Sequence, residues 1–400
     1  MKNIIVGQSG GPTAVINASL AGVICEAKKH AEIGKIYGMQ NGIEGFLKDR
    51  FVDLGVMSAK DLELLKVTPS AHLGSCRYKL PKELDDEVYK RLFEKFDDLD
   101  IGYVLYTGGN DSMDTADKLS RYAKIIGSDI KFIGIPKTID NDLVGTDHTP
   151  GFGSAAKFVA NTVRNITLDA EVYDRPSVTI VEIMGRNSGW LTAASVVARR
   201  YKGDNPVLIY LPEVAFSIDK FFEDVKRGLE KTRNLVICVS EGIKDINGKF
   251  ICEYEQKAGI DNFGHKNLTG CGKFLEDEIK DRLGIKARSV EFNIVQRCAT
   301  SLISKADLNE AFCVGAEGVK AALNGETAKM ICIIRDGDYS VRYTAVDVNE
   351  ISNKEKTFPE KWIIDGNDID DEFFEYILPL ISGEVNIPYK NGMAESLTNR

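Results

Sequence analysis

Two short polar loops, Gly108–Ser112 and Pro136–Asp142, each follow an apolar run and hold residue types that can do chemistry. The first reads Gly-Gly-Asn-Asp-Ser, so an amide and a carboxylate stand where an amphipathic segment begins. Asp111 or Ser112 would serve as a helix N-cap on the simplest interpretation of this loop. The same polar pair beside a phosphate-binding loop also suits a hydrated Mg²⁺ held by one or two protein oxygens.

The second loop reads Pro-Lys-Thr-Ile-Asp-Asn-Asp and follows the apolar run Lys131–Ile135. Loops rich in Asp and Asn are often only turns. A carboxylate at the end of a buried strand is costly, however, unless it has a partner or a task. Here a carboxylate can take a proton from a sugar hydroxyl while Lys137 balances phosphoryl charge.

Two more glycine turns follow apolar runs. Gly7–Thr13 opens a helix, so its backbone N–H groups can approach an anion, although a tight strand–helix turn would look the same. Glu182–Arg186 offers Arg186 either for bidentate phosphate binding or for a surface salt bridge. Other loop residues that fit such a site are Arg77, Arg288, Arg297 and Glu241. Taken together, the loops indicate phosphoryl transfer to a hydroxyl on an anionic small molecule.

The elements that must position these loops alternate along the chain. Predicted strands are Asn3–Val6, Ile101–Tyr106, Lys131–Ile135, Ser177–Ile183, Val207–Leu211, Asn234–Ser240, Ser289–Phe292 and Lys329–Ile334. Predicted helices are Thr13–Lys29, Ser112–Lys124, Ser154–Ala170, Asn187–Arg200, Ile218–Lys231 and Gly272–Leu283. Apolar strands alternating with amphipathic helices predict an α/β protein with parallel sheets covered by helices. An apolar patch at Phe373–Ile381 in the acidic tail predicts a docking helix.

Composition narrows the class of protein. A chain of 400 residues suits two domains. The net charge of −9 argues against nucleic acid as the main partner. The eight cysteines are scattered, without a Cys/His cluster at metal-ligand spacing, which is typical of a reduced, cytoplasmic protein. No apolar stretch is long enough to span a membrane.

At this point the motifs resemble those of the phosphofructokinase family. The resemblance rests on Gly108–Ser112, Pro136–Asp142 and Met184–Arg186 in that order and spacing, with Leu73–Arg77 and Val295–Arg297 as further matches. It implies two Rossmann-like three-layer domains with mostly parallel sheets. A donor domain would comprise 1–151 plus about 296–346, and a sugar-phosphate domain 152–295 plus about 347–400.

The family resemblance implies a role for each motif residue. Asp140 would be the general base for the 1-hydroxyl of fructose 6-phosphate. The donor would be bound by Gly10, Gly11, Arg77, Gly109 and Ser112. The sugar phosphate would contact Thr138, Ile139, Asp142, Met184, Gly185, Arg186, Glu241, Arg288 and Arg297. Mg²⁺ is the expected cofactor, and a homodimer or homotetramer is the expected assembly.

Two residues resemble the branch of the family that uses pyrophosphate. ATP-dependent members have glycine where this chain has Asp111, whose carboxylate would occupy the space of the nucleotide α-phosphate and repel it. Lys137 stands where ATP-dependent members usually have glycine, and it would contact the transferring phosphoryl group. Asn110 replaces a metal-binding aspartate of many relatives, so its expected contact with Mg²⁺ is through water.

Three other functions are compatible with the sequence. The chain could be an ATP-dependent 6-phosphofructokinase that tolerates Asp111. It could be a non-catalytic sugar-phosphate-binding paralogue, although Asp140, Lys137 and Arg77 are all present. A nucleotide-binding oxidoreductase fits less well, because the GxGxxG fingerprint and its distal acid are missing.

Overall fold

The structure is a computed structural model that describes residues 1–254, 270–337 and 339–398. Its strands are β1 Lys2–Gln8, β2 Ile33–Met39, β3 Phe51–Asp53, β4 Ile101–Gly108, β5 Lys131–Pro136, β6 Ser177–Ile183, β7 Leu208–Tyr210, β8 Asn234–Ser240, β9 Lys286–Glu291, β10 Lys329–Asp336, β11 Ser340–Asp347, β12 Ile363–Ile364, β13 Asp368–Ile369, β14 Tyr389–Lys390 and β15 Met393–Ala394. Its α-helices are α1 Ile16–Ala27, α2 Gly42–Phe46, α3 Ala59–Val67, α4 Glu87–Asp98, α5 Asn110–Ile126, α6 Phe152–Ala170, α7 Trp190–Ala193, α8 Ile218–Lys231, α9 Cys271–Leu283, α10 Lys305–Leu323, α11 Val348–Ile351 and α12 Asp371–Ile377.

The first of two compact units comprises Met1–Ser154, Arg297–Glu355 and Gly383–Arg400. Its seven-stranded sheet has the order β11-β10-β5-β4-β1-β2-β3. The five central strands are parallel, and the edge strands β3 and β11 pair antiparallel with their neighbours. The central strands read as apolar runs because helices cover both faces of the sheet.

The strand order of this sheet reverses between β1 and β4. From β1 the chain moves to β2 on one side, and it later returns to form β4 on the other side. Open α/β sheets bind ligands at the carboxyl ends of the strands at such a switch point. The two glycine loops predicted to bind the donor are those that leave β1 and β4.

Helices α1 and α10 pack against each other at glycines. A Cβ on Gly22 would lie 2.0 Å from the carbonyl oxygen of Phe312, and one on Gly315 would lie 2.0 Å from that of Ser19. Only glycine permits this backbone approach. The contact fixes the N-terminal end of α10 near the loop that follows β1.

The second unit comprises Ala155–Gln296 and Lys356–Ser382. Its four strands are parallel in the order β7-β8-β6-β9. Helices α8 and α9 bury Phe221, Val225, Phe274 and Ile279 against this sheet. The predicted α/β class with mostly parallel sheets is therefore confirmed.

The C-terminal tail differs from the predicted domain boundaries. All of 347–400 was expected to belong to the second domain, whereas 347–355 and the segment from Gly383 onward group with the first unit. Val385 and Ile387 pack on an apolar cluster of that unit, and the Leu397 N–H donates to the Thr68 hydroxyl at 2.9 Å. Only 356–382 stays with the second unit, where α12 in the predicted apolar patch buries Phe373 and Ile377.

The predicted helix Asn187–Arg200 is wrong over most of its length. The structure has the four-residue helix α7 followed by a 3₁₀ segment, Ala194–Ala198. Nearly every residue from Trp190 to Ala198 is buried, so no polar face stabilises a long surface helix. Threonine, serine and two valines in this stretch are also weaker helix formers than alanine or leucine.

Candidate active site

The loop after β1 is shaped by contacts with the Leu73–Arg77 segment. Gly10 has φ +76°, a conformation that favours glycine, and its N–H donates to the Cys76 carbonyl oxygen at 3.1 Å. The Ser75 hydroxyl donates to the Gly10 carbonyl oxygen at 2.6 Å. These bonds place Arg77, which is exposed, one residue from the contact with the glycine loop.

Lys137 links this loop to the ends of β4 and β5. Its N–H donates to the Gly108 carbonyl oxygen at 3.0 Å, and its ammonium donates to the Gly11 carbonyl oxygen at 2.6 Å. The residue is only 3% exposed. A residue predicted from the sequence as a phosphoryl contact thus places a buried cation against the Gly10–Gly11 loop, while its backbone bonds to the Gly108 loop.

The charge environment of Lys137 brings together four more predicted residues. Burial lowers the pKa of Lys137 from 10.5 to about 8. Asp140 and Asp142 raise that pKa, while Arg297 and Arg77 lower it. The first unit therefore gathers two acids and three cations around the carboxyl ends of β1 and β5.

Arg297 lies over the glycine loop. A Cβ on Gly11 would stand 2.8 Å from the Arg297 Nη1 atom. The absence of a side chain at Gly11 thus gives the guanidinium room beside the Gly10–Gly11 backbone. Arg297 was predicted from the resemblance as a sugar-phosphate contact, and the structure puts it next to the predicted donor loop.

The loop after β5 holds its carboxylates at partly exposed positions. The Asp140 N–H donates to the Thr138 hydroxyl at 3.1 Å, which closes a tight turn. Ile139 is buried at 6% exposure and anchors the turn, while Asp140 and Asp142 are intermediate in exposure. This arrangement allows a carboxylate to meet a ligand while the loop backbone stays fixed.

Helix α5 begins without a side-chain cap. Gly109 is its N-cap residue, and no side chain accepts a hydrogen bond there. The simpler interpretation of the loop, in which Asp111 or Ser112 caps the helix, is therefore wrong. Ser112 is 2% exposed and packs against Gly108. A Cβ added at Gly108 would lie 1.8 Å from the Ser112 Oγ atom. The Ser112 N–H donates to the Gly109 carbonyl oxygen, and an uncapped helix start of this kind can bind an anion through the N–H groups that precede it.

The two polar side chains at the start of α5 have different surroundings. Asn110 accepts a hydrogen bond from the Asn353 N–H at 2.9 Å and donates one to the Lys354 carbonyl oxygen. Asp111 is about half-exposed and lies 3.3 Å from the Lys79 ammonium. Asp111 is thus the accessible carboxylate of this loop, and Lys79 is a contact that the sequence interpretation missed.

The second unit holds the remaining predicted residues in the loops after β6 and β8 and in β9, where Arg288 lies inside the strand and not in a loop as expected. The Gly185 N–H donates to Glu241 at 3.4 Å, and Arg186 follows in the same turn. Met184 donates its N–H to the Gln296 side chain at 3.3 Å. The guanidinium of Arg288 is 3.7 Å from Asp169.

Gly185 has a close backbone neighbour. A Cβ there would lie 2.5 Å from the Ser188 carbonyl oxygen, and φ is +143°. Gly242 is equally constrained, because its Cβ would lie 2.0 Å from the Arg186 carbonyl oxygen. The loops after β6 and β8 therefore pack directly together, as a site that combines Arg186 with Glu241 requires.

Two buried acids, one in each unit, were not singled out from the sequence. Glu182 accepts the Gly272 N–H at 2.7 Å and the Gly270 N–H at 3.2 Å, and burial raises its pKa. Asp307 accepts the N–H groups of Gly151 and Ser154 at 2.8 and 2.9 Å. The spacing Ser304–x–x–Asp307 before an alanine-rich run is a helix-start signal, but its partners are distant in sequence.

Across the described ranges, no three His, Cys, Asp or Glu side chains come together as a metal site. In the same part of the chain, every helix is too short or too polar to cross a bilayer.

The chain is similar to known proteins over most of its length. Residues 3–322 match the family model described as phosphofructokinase. A pyrophosphate–fructose 6-phosphate 1-phosphotransferase of Methylococcus capsulatus is 39% identical, over 99% of this chain and 96% of its own. The protein of the same name from Xanthomonas campestris pv. campestris is 42% identical, over 97% of this chain and 93% of its own.

A solved structure extends the likeness to the fold. The pyrophosphate-dependent phosphofructokinase from Nitrosospira multiformis superposes with a TM-score of 0.90 and 37% identity, covering 99% of this chain and 96% of that one. A family model spanning most of the sequence and relatives similar over nearly its full length lead to one conclusion: this chain belongs to the phosphofructokinase family.

Proposed function

We propose that this protein transfers a phosphoryl group from inorganic pyrophosphate to the 1-hydroxyl of fructose 6-phosphate. The products are fructose 1,6-bisphosphate and phosphate, and the reaction is reversible because a phosphoanhydride is exchanged for a sugar phosphate ester. The observation that carries the proposal is the buried ammonium of Lys137, which donates to the Gly11 carbonyl oxygen, while the backbone N–H of the same residue donates to Gly108, just before the uncapped start of α5. The names of the relatives at 39–42% identity support the same reaction.

The donor end of the site explains the preference for pyrophosphate. Gly10 shapes the donor loop, Gly11 and Gly109 offer backbone N–H groups, and Lys137 and Arg77 supply positive charge for the transferred phosphoryl. Asp111 puts a carboxylate at the start of α5, where it repels a third phosphate group. A donor with only two phosphates ends before that carboxylate.

Proton transfer is assigned to Asp140. The sugar O1 attacks the terminal phosphorus of pyrophosphate, and the new P–O bond forms as the bridging P–O bond breaks and phosphate leaves. The hydroxyl proton passes to the Asp140 carboxylate. Its backbone N–H bond to Thr138 fixes the loop, and its partial exposure leaves the carboxylate accessible to substrate.

The 6-phosphate ester of the sugar is assigned to residues of the second unit. Met184, Gly185 and Arg186 would hold the 6-phosphate ester with Arg288, while Glu241 would contact a sugar hydroxyl. Thr138, Ile139 and Asp142 would line the acceptor pocket. Arg297 is beside Gly11, so a role shared between donor and acceptor phosphates fits its position.

Mg²⁺ is the proposed cofactor, entering with pyrophosphate. When bound, it would neutralise phosphate oxygens and so lower the cost of charge developing on the leaving phosphate. Asp111 offers a half-exposed oxygen ligand, and the Asn110 carbonyl oxygen has a second lone pair for a metal-bound water. This donor set suits a largely hydrated ion. A homodimer or homotetramer remains the proposed assembly.

A coupled assay tests the function. Fructose 6-phosphate and Mg²⁺ are supplied with either pyrophosphate or ATP, and the reverse reaction is run with fructose 1,6-bisphosphate and phosphate. We expect turnover in both directions with pyrophosphate and phosphate, and none with ATP. Turnover with ATP alone would make the protein an ATP-dependent kinase. Sugar-phosphate binding without turnover with either donor would make it a non-catalytic paralogue.

A further inference from the structure

Two buried carboxylates, Asp307 and Glu310, stand one turn apart near the start of α10. They are 2% and 5% exposed. Residues spaced i and i+3 lie on the same face of a helix, so both carboxylates address the same neighbouring segment. That segment is 147–154, which follows the loop that carries Asp140.

Asp307 binds the backbone of this segment with both oxygens. One accepts the Gly151 N–H at 2.8 Å and the other accepts the Ser154 N–H at 2.9 Å. The Ser154 hydroxyl accepts the Ser304 N–H at 3.2 Å and donates to Asp307. Hydrogen bonds to an ionised acceptor are stronger than neutral ones, so α10 holds residues 151–154 firmly.

Glu310 binds the same segment through His148. One oxygen is 2.7 Å from His148 Nε2, and the other accepts the Tyr339 hydroxyl. His148 Nδ1 is 2.8 Å from Asp147. Burial lowers the pKa of His148, but hydrogen bonds to the two carboxylates outweigh burial and the net pKa is raised. A protonated imidazole can donate to both acids at once.

Residues 147–154, which α10 holds, are in turn hydrogen-bonded to the loop that carries the proposed base. Gly151 and Thr138 form a parallel bridge, and the Thr138 N–H donates to the Pro150 carbonyl oxygen at 3.3 Å. The Thr149 hydroxyl donates to the Thr138 carbonyl oxygen at 3.0 Å. Thr138 accepts the Asp140 N–H, so a continuous set of hydrogen bonds joins α10 to Asp140.

We infer that Asp307 is a positioning residue for phosphoryl transfer: through Gly151 and Thr138 it holds Asp140 at the distance and angle that proton transfer requires. The inference rests on the proposed function, because it assumes that Asp140 is the base. Small displacements of a reacting group cost large factors in rate, whereas substrate affinity depends on contacts elsewhere in the site. Loss of the Asp307 hydrogen bonds should therefore lower kcat much more than it changes KM.

The first test is Asp307→Asn, which preserves the shape of the side chain but turns one acceptor into a donor that faces an N–H group. We expect kcat to fall about 10- to 100-fold, with KM for both substrates within about threefold of wild type. Asp117→Asn is the matched control, since Asp117 is a buried acid of the same unit paired with Arg121 on α5. It should leave kcat unchanged. A normal kcat in Asp307→Asn would overturn the inference.

A double-mutant cycle separates positioning from general stability. If Asp307 acts through Asp140, then adding Asp307→Asn to Asp140→Asn should lower kcat by no more than about twofold, because the positioned group is already lost. A full additional loss would show that Asp307 acts independently of Asp140. Thr149→Val, which removes only the bond to the Thr138 carbonyl, serves if Asp307→Asn does not fold, and it should lower kcat severalfold in the same pattern.

Amide hydrogen exchange keeps this test independent of the donor assignment. Exchange across 138–142 should be faster in Asp307→Asn, and in Thr149→Val, than in wild type or Asp117→Asn. Unchanged exchange across 138–142 would overturn the inference that Asp307 holds this loop in place, even if the enzyme is active. Wild-type protein that turns over ATP instead of pyrophosphate would refute the proposed donor only, and the kcat ratios would then be measured with ATP.

Discussion

The ammonium of Lys137 donates a hydrogen bond to the carbonyl oxygen of Gly11 at 2.6 Å. The bond ties the end of β5 to the loop that follows β1, across the intervening β4. It also holds a buried cation at the point where the strand order reverses. A cation held in advance stabilises charge that develops during phosphoryl transfer without the cost of reorganising solvent.

Lys137→Met should abolish most pyrophosphate-dependent turnover while the protein remains folded. Methionine fills a similar unbranched volume but supplies neither charge nor hydrogen bond. Removing one prearranged donor to a transition state typically costs 10²–10³ in kcat, and we expect a loss of about that size or larger. Steady-state kinetics with pyrophosphate measure it. Lys124→Met, at the exposed end of α5, is the control and should behave as wild type. A loss below about tenfold would contradict a role at the phosphoryl group.

Activity should fall as pH rises through about 8, where the Lys137 ammonium of the free protein loses its proton. Below that pH the side chain is charged and binds pyrophosphate, and above it kcat/KM should decline about tenfold per pH unit. Lys137→Arg keeps its charge at these pH values, so any decline it shows reflects other groups or pyrophosphate itself. The test is to measure kcat/KM for pyrophosphate as a function of pH in wild type and in Lys137→Arg. Parallel profiles would exclude Lys137 as the titrating group.

The contribution of Lys137 to folding stability should increase with pH, whereas its contribution to activity should decrease. Its folded pKa of about 8 lies below the ordinary 10.5, so between these values the unfolded chain binds more protons than the folded one. Stability contributed by this group therefore rises with pH across that window. Denaturant unfolding of wild type and Lys137→Met at pH 7.5 and 9.5 tests the sign. The free energy of unfolding of wild type minus that of Lys137→Met should be larger at pH 9.5 than at pH 7.5. A smaller difference at pH 9.5 would contradict the prediction.

Asp111→Gly should admit some ATP-dependent turnover, because it removes the carboxylate that would repel the nucleotide α-phosphate. The lost ion pair with Lys79 is half-exposed and contributes little, so the stability cost should be about 1 kcal/mol, mainly from glycine in a helix. Parallel assays with ATP and pyrophosphate measure the change in donor ratio. Asp114→Gly places glycine one turn further along α5 and should not raise ATP use. No gain of ATP turnover in Asp111→Gly would mean that other residues exclude the nucleotide.

The parts of the fold that were predicted from sequence are those with the strongest local patterns. The strands Ser177–Ile183 and Asn234–Ser240 and the helix Ile218–Lys231 match the structure residue for residue. The two strands are apolar throughout because both faces are covered, and α8 has a clear apolar stripe. Such signals depend only on neighbouring residues.

The parts that were missed depend on partners far along the chain. Helix α10 packs on α1 through small residues such as Gly315, so its sequence lacks a strong apolar stripe. The edge strand β11 alternates polar with apolar residues and is absent from the predicted strands. Asp307 bonds to Gly151, 156 residues earlier in the chain, and no local pattern indicates that contact.

The predicted features of the site also depend on whether they arise from local sequence or from distant partners. The motif loops after β1, β4 and β5 do come together in the first unit, because parallel strands place their carboxyl ends at one edge of the sheet. The position of Arg297 beside Gly11 and the bonding of Asn110 to residues 353 and 354 were not predictable. Both contacts depend on segments more than 200 residues later in the chain.

Asp140→Asn should lower kcat by about 10²–10⁴, the usual contribution of a general base, while fructose 6-phosphate still binds. The amide has nearly the shape of the carboxylate, and the backbone bond from residue 140 to Thr138 does not depend on the side chain, so the loop should stay in place. Turnover with pyrophosphate and calorimetric binding of fructose 6-phosphate measure the two effects separately. Asp142→Asn is the matched control in the same loop, because it removes a similar charge near Lys137 without removing the proposed base. A comparable loss of kcat in both variants would contradict the assignment of proton transfer to Asp140.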